Sequence, residues 1–462
     1  MTIEIPADDY ETLAYDTRGD VLRPGDDGYD EARSVWNGMI DRRPAVVVRA
    51  TGAADVCTAV DFARERDLPL AVRGGGHNVA GSAVCDDGVV VDLSPMSSVR
   101  VDPVARTARV GPGATMGDFD HEAQAFGLAT PGGVISTTGV AGLTLGGGMG
   151  WLSRQYGLAI DNLRSVDIVT ADGEVVTASE DEHADLFWAV RGGSGNFGVV
   201  TSFEFDLHEV GPEVLFGPAV YPYEDAPDVL ARYREFALDA PRECSVWVNS
   251  VGAPPLPFLP EELHGTTVLV LVYFYDGDLD EGEAVLAPLR EYGDPIADAV
   301  APTPYVEAQR SLDDLYGEGA RNYWKSANFV DLPGETIDTI VEYAERAPTP
   351  ESEILLHHVG GAVNDVASDA TAYPHRETEF VATIAARWEE TTRDDECVAW
   401  VRACHDALAA AATGGTYVNF EGDREGRERN AYGENYGRLA EVKAEFDPGN
   451  VFRLTQNVTP AD

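Results

Sequence analysis

Hydrophobic and polar positions alternate in short, regular bursts over the first two hundred residues of this chain. Residues 45–50 (Ala-Val-Val-Val-Arg-Ala) form an apolar run the length of a buried strand. Val56, Ala59, Val60 and Ala63 then recur at helical spacing, which predicts a helix over 53–66. Residues 69–73 read as a second strand that runs straight into Gly74, Gly75 and Gly76. A further strand is expected over 89–93, a hairpin over 98–110 turning at Asp102-Pro103, and a helix over 115–126. Residues 163–170 and 174–178 predict a hairpin across Asp172-Gly173, followed by a helix over 182–189 and a strand over 198–207. Beyond Gly211 glycine thins out. Strand-like runs (266–275, 353–358) there mix with helical ones (337–345, 397–412), as in a second, α+β domain. Near Thr416 the chain turns to Asn, Tyr and Gly again. A length of 462 residues is too great for one ordinary core, so two domains or one with a large insertion are expected.

Charge changes the picture most. The formal net charge is -47, and only two of the 33 basic residues, Lys325 and Lys443, are lysines. Acidic side chains bind water and cations, whereas lysine exposes a long apolar stem. Such a surface suits a salt-filled cytoplasm, and the composition reads as that of a halophile's protein. It excludes nucleic acid as a partner. No run of apolar residues has the length of a membrane helix. The acidic first fifteen residues lack a basic region followed by an apolar stretch, so a soluble, cytoplasmic protein is expected. The five cysteines form no C-x-x-C pair, which argues against structural disulfides and a zinc site.

Two segments carry candidate chemistry. In Arg73-Gly-Gly-Gly-His77-Asn78, three glycines after a strand let several backbone N–H groups converge. Such a nest binds phosphate oxygens without positive side chains, which suits so acidic a chain. The second segment is Thr130-Pro131-Gly132-Gly133, then Gly139, Gly142 and Gly146-Gly147-Gly148-Met149-Gly150. Its small side chains allow a large flat ligand to lie on main chain. Either segment alone is also compatible with a glycine turn. A P-loop is excluded, because no Gly-Lys-Ser/Thr follows, and the first strand–helix unit lacks G-x-G-x-x-G.

Taken in order, the motifs identify a family. Arg73-Gly-Gly-Gly-His77-Asn is followed by Gly139-x-x-Gly142-x-x-x-Gly-Gly-Gly-x-Gly150, Tyr156-Gly157-Leu158-x-x-Asp161-Asn162 and Asp185-Leu-Phe-Trp-Ala-Val-Arg-Gly-Gly193. Asn196-Phe-Gly-Val-Val200, Tyr417-Val-Asn419-Phe and Phe446-Asp-Pro-Gly-Asn-Val-Phe-Arg453 complete the set. The chain resembles the p-cresol methylhydroxylase/vanillyl-alcohol oxidase class of FAD enzymes, in its berberine-bridge-enzyme-like branch.

The resemblance implies an α+β fold: an FAD-binding domain of two subdomains with an inserted substrate domain of antiparallel sheet and helices. Its implied boundaries are 1–209 (core about 40–209) for the FAD domain, 210–411 for the substrate domain, and 412–462 for a C-terminal segment returning to the first. It also implies FAD bound covalently through His77, whose neutral imidazole can attack the flavin 8α-methyl carbon. Arg73, Gly74, Gly75, Gly76, Asn78, Pro131, Gly132, Gly133, Thr137, Thr138, Gly139, Gly142, Gly146, Gly147, Tyr156, Asp161, Gly198, Val200 and Asn419 are the remaining implied cofactor residues. Relatives with a second link carry a cysteine where this chain has Ile135, so a single tether is expected. Thr138 matches the position that governs oxygen access. Tyr417 and Asp365 are the implied catalytic candidates. By strand alternation, one only of His357 and His358 faces the substrate, and neither belongs to a metal pattern. Tyr273, Tyr275, Tyr323 and Trp324 are either substrate aromatics or core.

The implied activity is oxidation of a small alcohol or sugar hemiacetal by hydride transfer to flavin, with oxygen or another acceptor taking the electrons. An amine oxidase of the 6-hydroxynicotine oxidase type, or a dehydrogenase that does not use oxygen, is the alternative within the family. A nicotinamide-dependent dehydrogenase lacks its glycine fingerprint here, and a binding protein that merely kept the fold has no reason to keep His77. Substrate identity and oligomeric state are open from sequence.

Overall fold

The structure, a computed structural model, describes residues 5–255, 259–423, 426 and 428–462. The expected N-terminal elements form two small sheets. The first has four strands in the order Asp20–Leu22, Val46–Arg49, Val89–Asp92, Leu70–Arg73; the last three run parallel. Val46, Val47 and Val48 are fully buried because helices or loops cover both faces, which explains their unbroken apolar run. The helix Ala53–Glu65 is the crossover between Val46–Arg49 and the parallel strand Leu70–Arg73, and it packs Val56, Ala59, Val60 and Ala63 inward as their spacing requires.

The second sheet is antiparallel: Val99–Asp102, Thr107–Val110, Val199–Asp206, Leu163–Val169, Val175–Ser179. Phe203 and Phe205 point into its core while Glu204 and Asp206 lie at the surface side, a period-two pattern.

The third sheet has eight strands, with seven in the order Ala297–Asp298, Glu213–Pro222, Thr267–Tyr275, Cys244–Gly252, Glu353–His358, Phe380–Trp388, Arg321–Phe329, and Ala301–Pro304 pairing beside Glu213–Pro222. The helices Ala226–Asp239, Leu279–Arg290, Gly334–Ala344 and Asp394–Leu408 cover one face, through Tyr233, Leu286, Ile340 and Val401. The opposite face carries Phe216, Trp247 and Phe274 against Trp151 and Leu152 of the glycine-rich segment. Along Cys244–Gly252, Val246 and Val248 join the helix-side core and Trp247 the other side. Both faces of this sheet are covered, so its strands show little polar alternation.

Both lysines are interior. Lys325 bonds Glu421 at 3.0 Å and Asp423 at 2.7 Å, and Lys443 bonds Asp447 together with the carbonyls of Asn196 and Phe452. The second cluster fixes the Phe-Asp-Pro-Gly-Asn-Val-Phe stretch onto the Asn196 turn. Solvent therefore meets no lysine among the described residues. A net charge of -47 repels itself over a Debye length of about 30 Å at 0.01 M salt and only about 3 Å at 1 M. Dialysis from molar salt to 10 mM is expected to lower the urea midpoint of unfolding, followed by tryptophan fluorescence. Equal midpoints at both salt levels would contradict this reading of the charge.

Candidate active site

The glycine loop after Leu70–Arg73 meets the second glycine segment main chain to main chain. A Cβ on Gly75 would lie 2.4 Å from the Gly139 nitrogen, and one on Gly139 would lie 2.3 Å from the Gly75 nitrogen. No side chain fits there, so the two motifs are one structural unit. Between them and the inner face of the eight-stranded sheet lies a cavity.

Gly74, Gly75, Gly76, His77 and Asn78 form one of its walls. Gly133, Thr138, Gly139 and Gly142 form a second, with Ile135 beside them. Gly198 and Val200 contribute from the strand that follows the Asn196 turn, and Tyr417 and Asn419 also line it. The sheet and its loops add Trp247, Tyr316, Trp324 and His357.

His77 is neutral at ordinary pH, because burial pushes its imidazole down to about 4 against an upward pull from Asp313. The ring makes no hydrogen bond within the described chain, and it stacks on Trp36 with centroids 5.4 Å apart. Tyr417 Oη accepts from the Gly148 N–H at 2.9 Å and from the Asn419 amide at 3.0 Å. Burial pushes its hydroxyl up to about 12, although those donors work in the other direction. Gly146 and Gly147 explain the rest of that motif. A Cβ on Gly146 would strike the Asn419 amide, 2.2 Å from its Oδ1, and one on Gly147 would approach the Tyr417 ring to 3.1 Å. The Gly146-Gly147-Gly148 run is the seat of the Tyr417–Asn419 turn.

His357 reaches the cavity while His358 turns to the helix side, against Phe380 and Tyr233. Alternation selected one of the pair, as expected. His357 Nε2 lies 2.9 Å from the Thr383 hydroxyl, its Nδ1 has no partner among the described residues, and burial pushes it down to about 3. Tyr316 donates to the buried Glu353 at 2.7 Å.

Several expected site residues sit elsewhere. Asp365 does not reach the cavity. The chain turns at Gly361 (φ 78°) into the short helix Ala362–Asp365, which buries Val363 but leaves Asp365, 57% exposed, paired with Arg242 at 2.6 Å. Asp161 is a clamp: its carboxylate takes two bonds from Arg376, at 2.7 and 2.8 Å. Tyr156 stacks on His208 at 3.9 Å, outside the cavity lining. Arg73 lies behind the loop, bonding the Ala32 carbonyl and lying 3.7 Å from Asp92. Pro131 and Gly132 are buried beneath the wall and Thr137 is exposed beside it. Of the four aromatic candidates only Trp324 lines the cavity; Tyr273, Tyr275 and Tyr323 belong to the helix-side core. Sequence reasoning passed over Trp36, Trp247 and Tyr316, which line the cavity without belonging to any of the motifs.

FAD fits these residues on two observations. The N–H groups of Gly75, Gly76, His77 and Asn78 donate to no acceptor among the described residues, leaving a row of donors for phosphate or flavin oxygens. A Cβ on Gly142 would meet nothing within 4 Å, so open space lies directly on main chain there, as a flat ring requires. The fold and this glycine-walled cleft define an FAD-dependent oxidoreductase.

Comparison with known proteins agrees. A family model described as FAD binding domain matches residues 44–179, and one described as berberine and berberine like matches 416–459. An FAD-linked oxidoreductase of Dictyostelium discoideum is 32% identical, with 96% of this chain and 95% of that protein covered. (R)-6-hydroxynicotine oxidase of Paenarthrobacter nicotinovorans is also 32% identical, over 96% and 97%. Among solved structures, 6-hydroxy-D-nicotine oxidase from Arthrobacter nicotinovorans superposes with a TM-score of 0.87 at 29% identity, covering 96% of this chain and 98% of that one. The xylooligosaccharide oxidase from Myceliophthora thermophila gives 0.85 at 26% identity, covering 98% and 99%. The chain belongs to the berberine-bridge-enzyme-like family of FAD-linked oxidoreductases. No described helix is long and apolar enough to cross a membrane.

Proposed function

We propose that this enzyme oxidises a neutral alcohol or sugar hemiacetal, with FAD tethered once, through His77. One observation carries the choice of substrate. In a chain with 80 acidic residues, no Asp, Glu, Lys or Arg side chain among the described residues lines the cavity. Its two histidines are held neutral by burial, at about 4 and about 3. A protonated amine entering here would shed its water without meeting a counter-charge, whereas a hydroxyl needs only hydrogen bonds.

Bound FAD supplies the two-electron acceptor for the substrate's hydride, and dioxygen or another acceptor then removes the electrons. Tyr417 is the group we assign to the substrate hydroxyl. Its own proton has no acceptor among the described residues, and two N–H donors on Oη favour the oxyanion that forms when a proton moves there. His357 holds the substrate through its unpartnered Nδ1, and Trp247 and Trp324 face its apolar body. A cytoplasmic setting accords with five free thiols.

A second reading, amine oxidation, is favoured by the likeness to 6-hydroxynicotine oxidase. Pairs of ring compounds that differ only in bearing a hydroxyl or an amine decide between the two. Flavin bleaching and oxygen consumption, measured in high salt at neutral pH, should follow the hydroxyl member of each pair. Bleaching by the amine members alone would sink the proposal.

A further inference from the structure

The imidazole of His77 has no hydrogen bond among the described residues to hold it, yet covalent attachment requires one nitrogen to face the flavin methyl carbon. The ring stacks on Trp36, whose plane lies within 19° of it. Trp36 is 5% exposed and is itself fixed from two sides. On the glycine-loop side, its N–H bonds the carbonyl of Gly76, the residue before His77, at 3.1 Å. On the sheet side, its indole N–H bonds the Tyr316 carbonyl at 2.8 Å, and its carbonyl accepts from Gly319 at 3.0 Å. Trp324 meets its edge at 5.5 Å, and the Arg387 guanidinium lies 5.6 Å from its ring centre.

We propose that Trp36 is the positioning residue for flavin attachment: it sets the plane of His77 and makes the reaction depend on docking of the 316–324 segment. The inference rests on the reading that His77 is the anchor. Attachment forms a bond between an imidazole nitrogen and the flavin 8α carbon and breaks one C–H and one N–H bond. The two protons and two electrons released pass finally to dioxygen, giving hydrogen peroxide. Trp36 exchanges no atom. It closes one face of the imidazole and limits rotation, so that the nitrogen stays aimed at the carbon. Losing such alignment slows a reaction by roughly tenfold to a hundredfold.

The test compares Trp36→Phe, which keeps a flat face, with Trp36→Leu, which keeps bulk without one. Each is purified, its total flavin read from the absorbance of the native protein, and its covalent share read from flavin that survives acid precipitation. Apoprotein made under riboflavin limitation and mixed with FAD gives the rate of attachment. Trp36→Phe is expected to attach within a few-fold of the wild type. Trp36→Leu should bind FAD yet attach it at least about tenfold more slowly. Equal rates in the two variants would overturn the proposal. So would failure of Trp36→Leu to bind FAD at all, since Trp36 would then be a packing residue. A wild type whose flavin is all released by acid would instead overturn the His77 reading beneath it.

Discussion

A His77→Ala variant is expected to hold no covalent flavin whatever. On a denaturing gel the wild-type band should fluoresce and the variant band should be dark, and acid precipitation should release all of the variant's FAD. The expectation is absolute because the cavity offers no substitute. Ile135 lies in its wall and cannot bond, and none of the five cysteines lines it. His357 lines it from the eight-stranded sheet, with Nε2 engaged by Thr383. The variant should still bind FAD, since the N–H row from Gly75 to Asn78 and the main-chain floor at Gly142 do not use the imidazole. It should oxidise substrate more slowly, because a tethered cofactor is held in register. Flavin that survived acid in this variant would mean a different anchor.

Asp161→Ala is expected to be the most destabilising of the site-neighbouring changes. Asp161 and Arg376 are 10% and 3% exposed, and their two bonds join the 158–161 turn to the 371–376 segment. Asp161 also accepts from the Leu158 N–H at 2.8 Å, and Arg376 bonds Thr371. Removing the carboxylate leaves a guanidinium buried with its main partner gone, a loss of about 3–5 kcal/mol. Tyr373, over which Arg376 lies, packs edge-on against Tyr417, so the packing of Tyr417 should loosen as well. Urea unfolding in high salt measures the first effect. The double variant Asp161→Ala, Arg376→Ala should lose less than the two single losses added together, since the penalty of an unpaired charge disappears. Strict additivity would mean that the pair is not a unit.

The N-terminal half was legible because its strands are short, apolar and punctuated by glycine. The run at 45–50 and the turn at Asp102-Pro103 needed nothing beyond local pattern. The ordered glycine motifs announced FAD, but not how they meet: that Gly75 and Gly139 exclude each other's side chains is a fact of packing between segments sixty residues apart. The sheet of the second half was less visible. Cys244–Gly252 is buried along most of its length, so its residues give no polar alternation by which Trp247 could be assigned to the cavity and Tyr273, on the neighbouring strand, to the core. Asp161 and Tyr156 stood in a recognisable motif, yet that motif builds a turn and its clamp outside the cavity lining. Asp365 stands outside the cavity because a short helix, entered at the positive-φ Gly361, follows the strand that does face it and leaves Asp365 exposed beside Arg242. Trp36 had no signal at all: its role depends on Tyr316 and Gly319, nearly three hundred residues away.

The most direct test of the account is peptide mapping of the denatured wild-type protein. Proteolysis followed by separation with absorbance detection near 450 nm should give a single flavin-bearing peptide. Its fragmentation should place FAD on His77. Flavin recovered only as free FAD, or found on any other residue, would contradict the account.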